Sequence, residues 1–324
     1  MLKKIIVSLL AVVVVAVSGV LAFVFGARPL SRPALQVSAD ATPERLARGE
    51  YLALTTGCID CHSKRDFNRY AGPPVTPYGA HADGFDKGVG VPGVVYPPNL
   101  TSDKETGLGS WTDGEILRAM REGVSRNGRP LFPLMPYSEF KSLSDEDALS
   151  IVAFLRTLPA EKYAAPAPQL DFPMPLIVRL IPKPLAGPVT GPARTDTLAY
   201  GKYLTGTMGC TFCHSTADAQ MSSIPGREWA GDNEFRGPWG VVRSANLTPH
   251  ETGMGDKTKE NFIGLFRAFG NVDGELPKGA QNTIMPWALY NKLTDEDLGI
   301  VYDYLKSQKP VSHAVEKFPK TPRA

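Results

Sequence analysis

Cys58, Cys61 and His62 are spaced as C-x-x-C-H, and Cys210, Cys213 and His214 repeat that spacing. Two cysteines three positions apart lie on one side of a helical turn, so each thiol can form a thioether to a vinyl group of the same porphyrin. The histidine one step later then lies under the iron and offers it a ring nitrogen. Two cysteines with an adjacent histidine are the attachment signature of covalent haem. A bare C-x-x-C has other uses: a thioredoxin-like redox pair needs a βαβ setting, and a zinc ribbon needs its two pairs much closer together than these. Both pairs here carry the histidine. The sequence therefore predicts two covalently bound haem c groups, held by Cys58, Cys61, Cys210 and Cys213, with His62 and His214 on the irons.

The sixth iron ligand of an electron carrier is a methionine or a second histidine. Met135 and Met285 recur in matching Met-Pro-aromatic contexts, 73 and 71 residues after His62 and His214. They are the expected second axial ligands. Met120, Met174, Met208, Met221 and Met254 have no such match and read as core fillers. His81 and His250 are not equivalent between the repeats and read as loop residues, and His313 follows the last helix. Pro73 and Pro225, each 15 residues after the first cysteine of its motif, mark where a carbonyl could accept the proximal imidazole N–H, with a plain turn as the alternative. The aligned pairs Arg121/Arg267 and Asn99/Asn246 could each meet a haem propionate, or serve as ordinary helix-surface and turn residues.

These residues belong to two matching halves offset by about 150 positions. Gly49-Glu50-Tyr51-Leu52 answers Gly201-Lys202-Tyr203-Leu204, GVVYPPNLT (93–101) answers GVVRSANLT (240–248), and 134–155 aligns with 284–305 without a gap. A period this long is a duplicated domain and not a solenoid repeat. Each half reads as helix, loop, helix, loop, helix: from Pro43 into the first cysteine pair, Trp111 to Glu122 with Asn261 to Phe269 as its counterpart, and final helices opened by Ser144 and Thr294 with acidic first turns. No stretch sustains period-2 alternation, so the predicted fold class is all-α. Between the halves, 159–192 carries nine prolines, which predicts an extended connector packed along a domain surface.

The chain has 324 residues, enough for two compact domains, and a formal charge of +2. That balance shows no basic excess for nucleic acid, and four cysteines are too few for a disulfide scaffold. Residues 5–27 hold no charged side chain and follow Lys3 and Lys4. Their length predicts a transmembrane anchor with the lysines in the cytoplasm, the alternative being a cleaved signal peptide. The expected organisation is an anchor (or signal peptide) at 1–27, a linker at 28–43, domains at 44–160 and 195–312 around a Pro-rich linker at 161–194, and a tail at 313–324. The expected location is the inner membrane, single-pass, with the haem domains on the periplasmic side.

The residues so far point to one family. The Gly-x-Tyr-Leu run before CxxCH, Asn-Leu-Thr followed by Thr-Gly-Leu-Gly-x-Trp (99–111), and Met-Pro-Tyr followed by Leu-Ser-Asp-Glu-Asp (135–147) resemble the cytochrome c fold family. More narrowly they resemble the membrane-associated multihaem cytochrome c subunits that accept electrons from periplasmic alcohol and sugar-acid dehydrogenases. Those subunits carry three CxxCH motifs where this chain has two, and the second repeat has Lys257 where the first has Trp111. The resemblance implies two tandem cytochrome c domains, each a small helical bundle around one haem. In it the Gly49 helix crosses the final helix near Phe154, and the Gly201 helix does so near Tyr304. It also implies an electron carrier with no substrate chemistry, with redox partners such as a dehydrogenase, a quinol-oxidising complex, an oxidase or a soluble cytochrome. The alternative is a dihaem redox enzyme, of peroxidase or thiosulfate-oxidising type, with one open iron site.

Overall fold

The computed structural model describes residues 2–26, 28–216, 223–272 and 274–322, so Met221 lies outside the described residues. The first helix is α1 (Leu2–Gly26). Among the described residues no helix is long and apolar enough to cross a membrane, which overturns the expected anchor over 5–27 and the single-pass inner-membrane location that depended on it.

The haem motifs are set between helices whose ends the sequence specifies. In the first half these are α2 (Pro43–Thr55), α3 (Cys58–His62), α4 (Asp113–Glu122), α5 (Tyr137–Phe140) and α6 (Asp145–Thr157). After the short linker helix α7 (Met174–Ile177), the second half repeats them as α8 (Thr197–Thr207), α9 (Cys210–His214), α10 (Lys259–Gly270), α11 (Trp287–Tyr290) and α12 (Asp295–Lys306). Thr42 and Asp196 cap α2 and α8, and Ser144 and Thr294 accept the Asp147 and Asp297 N–H groups to cap α6 and α12. Thr112 and Thr258 form reciprocal capping boxes on α4 and α10. These two helices each start two residues away from the position expected, α4 later and α10 earlier, because the caps decide the start.

Gly49 and Gly201 bring α2 onto α6 and α8 onto α12. A Cβ at Gly49 would overlap the Ser150 carbonyl and press on Phe154 Cβ, and one at Gly201 would press on Tyr304 Cβ. The bare backbones permit these crossings.

All-α needs correction as well, since two antiparallel ribbons occur among the described residues. Strand β1 (Gly93–Val94) pairs with β2 (Gln169–Leu170), and β3 (Glu234–Gly237) pairs with β4 (Gly240–Arg243). Strands of two to four residues are too short to display alternation along a sequence, which is why the pattern showed none. The first ribbon fastens the Pro-rich linker to the first half, and the Val189 carbonyl accepts the Asp145 N–H further along. The linker is not wholly extended: α7 forms a single turn with Pro175 in its first turn, where a missing N–H costs nothing.

The halves share one core. Leu52, Ile59, Phe140 and Ile151 from the first and Tyr203, Leu204, Leu298 and Val301 from the second belong to a single buried cluster. Across the boundary the contacts are reciprocal: Tyr203 Oη donates to Asp147 Oδ2 at 2.6 Å, and Tyr51 Oη donates to Asp297. Each tyrosine thus hydrogen-bonds the first turn of the other half's final helix, as an isologous pair does about a twofold axis.

Candidate functional site

Gly57 and Gly209 are left-handed, with φ of 82° and 71°. They turn the chain sharply from α2 into α3 and from α8 into α9, so that each cysteine pair and its histidine occupy one helical turn. All four cysteines are free thiols. Cys58 is buried in the shared core, Cys210 packs against it, and Cys213 packs against a smaller cluster that contains Phe132 and Leu134 of the first half. The two motifs are therefore near neighbours. Tyr290, on α11, is buried in the same core: burial first of all drives its hydroxyl pKa well up, and Cys210, Cys213, Asp60 and Cys61 lie near enough to add to the rise. That hydroxyl donates to the Met208 carbonyl at 2.8 Å.

The histidines are prepared alike. His62 is buried, with Nδ1 2.7 Å from the Pro98 carbonyl, and His214 is buried with Nδ1 2.8 Å from the Ala245 carbonyl. A carbonyl only accepts, so Nδ1 carries the proton in both rings and Nε2 keeps its lone pair. Burial lowers the His62 pKa to about 4 and pushes the His214 pKa down too, so both rings are neutral at ordinary pH. A neutral imidazole with its far N–H tied to a carbonyl is the form that ligates a metal. Free thiols three apart beside such a histidine, twice over, are a donor set that fits covalent haem.

Met135 and Met285 take the same place in both halves. Each is half-buried against the shared core and precedes a proline that caps a one-turn helix, Pro136 with φ −80° and Pro286 with φ −81°. The Met135 N–H donates to the Phe132 carbonyl, whereas the Met285 N–H donates to Thr283 Oγ1. Met120, Met208 and Met254 are buried core residues, and Met174 is half-buried in the linker.

Several secondary assignments change. The acceptors of the imidazole N–H groups are Pro98 and Ala245, not residues at Pro73 or Pro225; the Pro73 carbonyl takes the Asp66 N–H instead. Each acceptor immediately precedes the Asn-Leu-Thr string, so the repeated block held the missing signal. Asn99 and Asn246 use their amides on the tail behind the final helix, Asn99 on the Glu161 and Tyr163 carbonyls and Asn246 on those of Val311 and His313. Arg121 and Arg267 hold the entries to α6 and α12 through Asp145 and the Leu143 carbonyl, and through Asp295 and the Leu293 carbonyl. His81 and His313 have structural partners the sequence did not suggest. Each half ties its loop to its tail with a histidine–carboxylate pair, His81–Glu161 at 2.9 Å and Asp232–His313 at 3.0 Å, the roles exchanged. His250 bonds locally to Thr252.

No family model matches the chain. It is similar to the gluconate 2-dehydrogenase cytochrome c subunit of Pantoea cypripedii, with 29% identity over 80% of this chain and 58% of that one. It is similar to the cytochrome c subunit of the quinone alcohol dehydrogenase of Gluconacetobacter polyoxogenes, with 29% identity over 87% of this chain and 60% of the relative. It also matches a dihaem cytochrome c-type protein of Cereibacter sphaeroides, with 26% identity over 80% of this chain and 84% of that one. The chain thus spans little more than half the length of the dehydrogenase subunits it matches. Taken with the paired CxxCH turns and their carbonyl-oriented histidines, these likenesses match a dihaem c-type cytochrome that resembles the multihaem cytochrome c subunits of dehydrogenases, with covalent haem c as its cofactor.

Proposed function

We propose that this protein passes single electrons between redox partner proteins through two haem sites, His62 with Met135 in a half spanning 44–160 and His214 with Met285 in a half spanning 195–312. Haem c, when bound, supplies one-electron exchange between ferric and ferrous iron. The single observation that carries the reading is the matched pair of buried neutral imidazoles, each with Nδ1–H committed to a carbonyl and Nε2 left for iron. The matched Met-Pro turns support two methionine ligands, and two filled axial positions leave no open site for substrate chemistry. The nearness of the two motifs around Tyr290 supports transfer between the sites inside one molecule. By likeness to the dehydrogenase subunits, the proposed donor is a dehydrogenase, and the acceptor is a quinol-oxidising complex, an oxidase or a soluble cytochrome.

An equilibrium redox titration of the purified holoprotein should resolve two one-electron waves, and neither oxidation state should bind cyanide or react with peroxide on mixing. A high-spin iron that takes up either reagent readily would replace the carrier with a dihaem enzyme.

A further inference from the structure

The loop behind the first CxxCH motif reaches across to the turn that carries Met285. Arg65, 9% exposed, ties that loop together and reaches the turn with one of its donors. Nε donates to the Gly72 carbonyl at 2.7 Å, Nη2 donates to the Ala71 carbonyl at 2.5 Å and the Ile284 carbonyl at 3.2 Å, and Nη1 pairs with Asp60 at 3.1 Å. Ile284 immediately precedes Met285. From the other side Asn282, 6% exposed, accepts the Ala71 N–H at 2.8 Å and donates Nδ2 to the Phe67 and Arg69 carbonyls at 3.0 and 3.3 Å. The same Oδ1 takes the Thr283 N–H at 2.8 Å, and the Leu276 N–H donates to the Asn68 carbonyl at 2.7 Å. Ala71 and Gly72, with φ of 60° and 54°, bend the first-half loop so that its carbonyls converge on these two side chains.

The Met135 turn differs in sequence at these positions. The repeat counterparts of Asn282 and Ile284 are Phe132 and Leu134, which pack into an apolar cluster with Phe235, Val242 and Trp239 of the second half. Ile284 packs against the same cluster, and the Met285 turn is in addition hydrogen-bonded, through the Ile284 carbonyl and the Asn282 side chain, to the haem-attachment loop of the neighbouring half.

We propose that Arg65 and Asn282 are positioning residues that hold Met285 on its iron from across the domain boundary, so that methionine ligation in the second half depends on the docked first half. This rests on the reading of Met285 as an axial ligand. A thioether is a weak donor to ferric iron, and it keeps its place against stronger donors only if the chain carrying it cannot swing away. Groups outside the ligand shell supply that restraint in metal sites. Arg65 suits the task because a planar fork can serve three carbonyls and a carboxylate at once, which an ammonium cannot. Loss of Asn282 would leave the buried Ala71 N–H and the half-buried Phe67 and Arg69 carbonyls without this partner, loosening both sides of the contact.

The test uses oxidised full-length holoprotein carrying Asn282→Ala or Arg65→Lys, the latter keeping a charge beside Asp60 should the former fail to accumulate. The readouts are the near-infrared sulfur-to-iron charge-transfer band and a titration with imidazole. Wild-type protein should show a band of two-site strength. In either variant one of the two irons should take imidazole at a concentration at least tenfold lower than in wild type, with half the band lost at that step. In a Met285→His background, Asn282→Ala should change neither readout further. Wild-type imidazole affinity at both irons in both variants would overturn the positioning role while leaving the ligand assignment intact. A wild-type band of one-site strength that Met285→His does not alter would overturn the ligand assignment, and the positioning role with it.

Discussion

Cys210→Ser combined with Cys213→Ser should yield protein with one covalent haem in place of two. A serine hydroxyl forms no thioether, so the second haem would be held by axial bonds and packing alone. Acid–organic extraction should then remove it, and the intact mass should fall by one haem beyond the change at the two cysteines. The loss should reach the first half too. Cys210 packs on the shared core, and Cys213 packs on the cluster that holds Phe132 and Leu134, the residues leading to Met135. The thermal transition should therefore fall for the whole molecule, since Tyr51, Tyr203, Asp147 and Asp297 join the halves by reciprocal hydrogen bonds. Retention of both haems through denaturation in this double variant would contradict the attachment assignment.

Gly49→Ala should destabilise the protein strongly, although glycine to alanine inside a helix ordinarily stabilises by up to about 1 kcal/mol. The new Cβ would occupy the place of the Ser150 carbonyl, an immovable backbone group where α2 crosses α6. Separating the two helices costs about 3 kcal/mol or more on the scale of overpacked cores. Gly201→Ala should cost less, because its closest obstacle is Tyr304 Cβ and the nearest carbonyl, that of Ile300, lies at 2.9 Å. Denaturant unfolding followed by far-ultraviolet circular dichroism measures both. A Gly49→Ala protein as stable as wild type would mean that the crossing is looser than the backbone contact requires.

Much of this site was legible because its chemistry is local. A cysteine pair with its histidine fits in one turn, and a hydroxyl cap with acidic residues behind it states a helix start at Ser144 or Thr294 without reference to the rest of the chain. The crossings at Gly49 and Gly201 were expected from the family resemblance, and each glycine does lie against its final helix, at Phe154 and at Tyr304. What escaped the sequence depends on which main-chain atoms meet across space. The imidazole acceptors are carbonyls, which no side-chain pattern announces, and counting forward to Pro73 and Pro225 led to a different turn. Asn99 and Asn246 were correctly paired, with a propionate or an ordinary turn role left open, and a tail 60-odd residues away takes up their amides. The clamp of Arg65 and Asn282 breaks the repeat symmetry, so aligning the halves hides it. At the N-terminus, the uncharged stretch 5–27 was read as a membrane span, whereas among the described residues no helix is long and apolar enough to cross a membrane.

The central claim is that both irons are six-coordinate with one histidine and one methionine each. Near-infrared magnetic circular dichroism of the oxidised wild-type holoprotein, with Met135→His and Met285→His alongside, tests it most directly. The account predicts a sulfur-to-iron band of two-site intensity in the wild type. Each variant should lose half of it and lower one reduction potential, because imidazole donates more strongly to ferric iron than a thioether does. A wild-type spectrum with a high-spin signature at either iron, or a band untouched by one of the two substitutions, would contradict it.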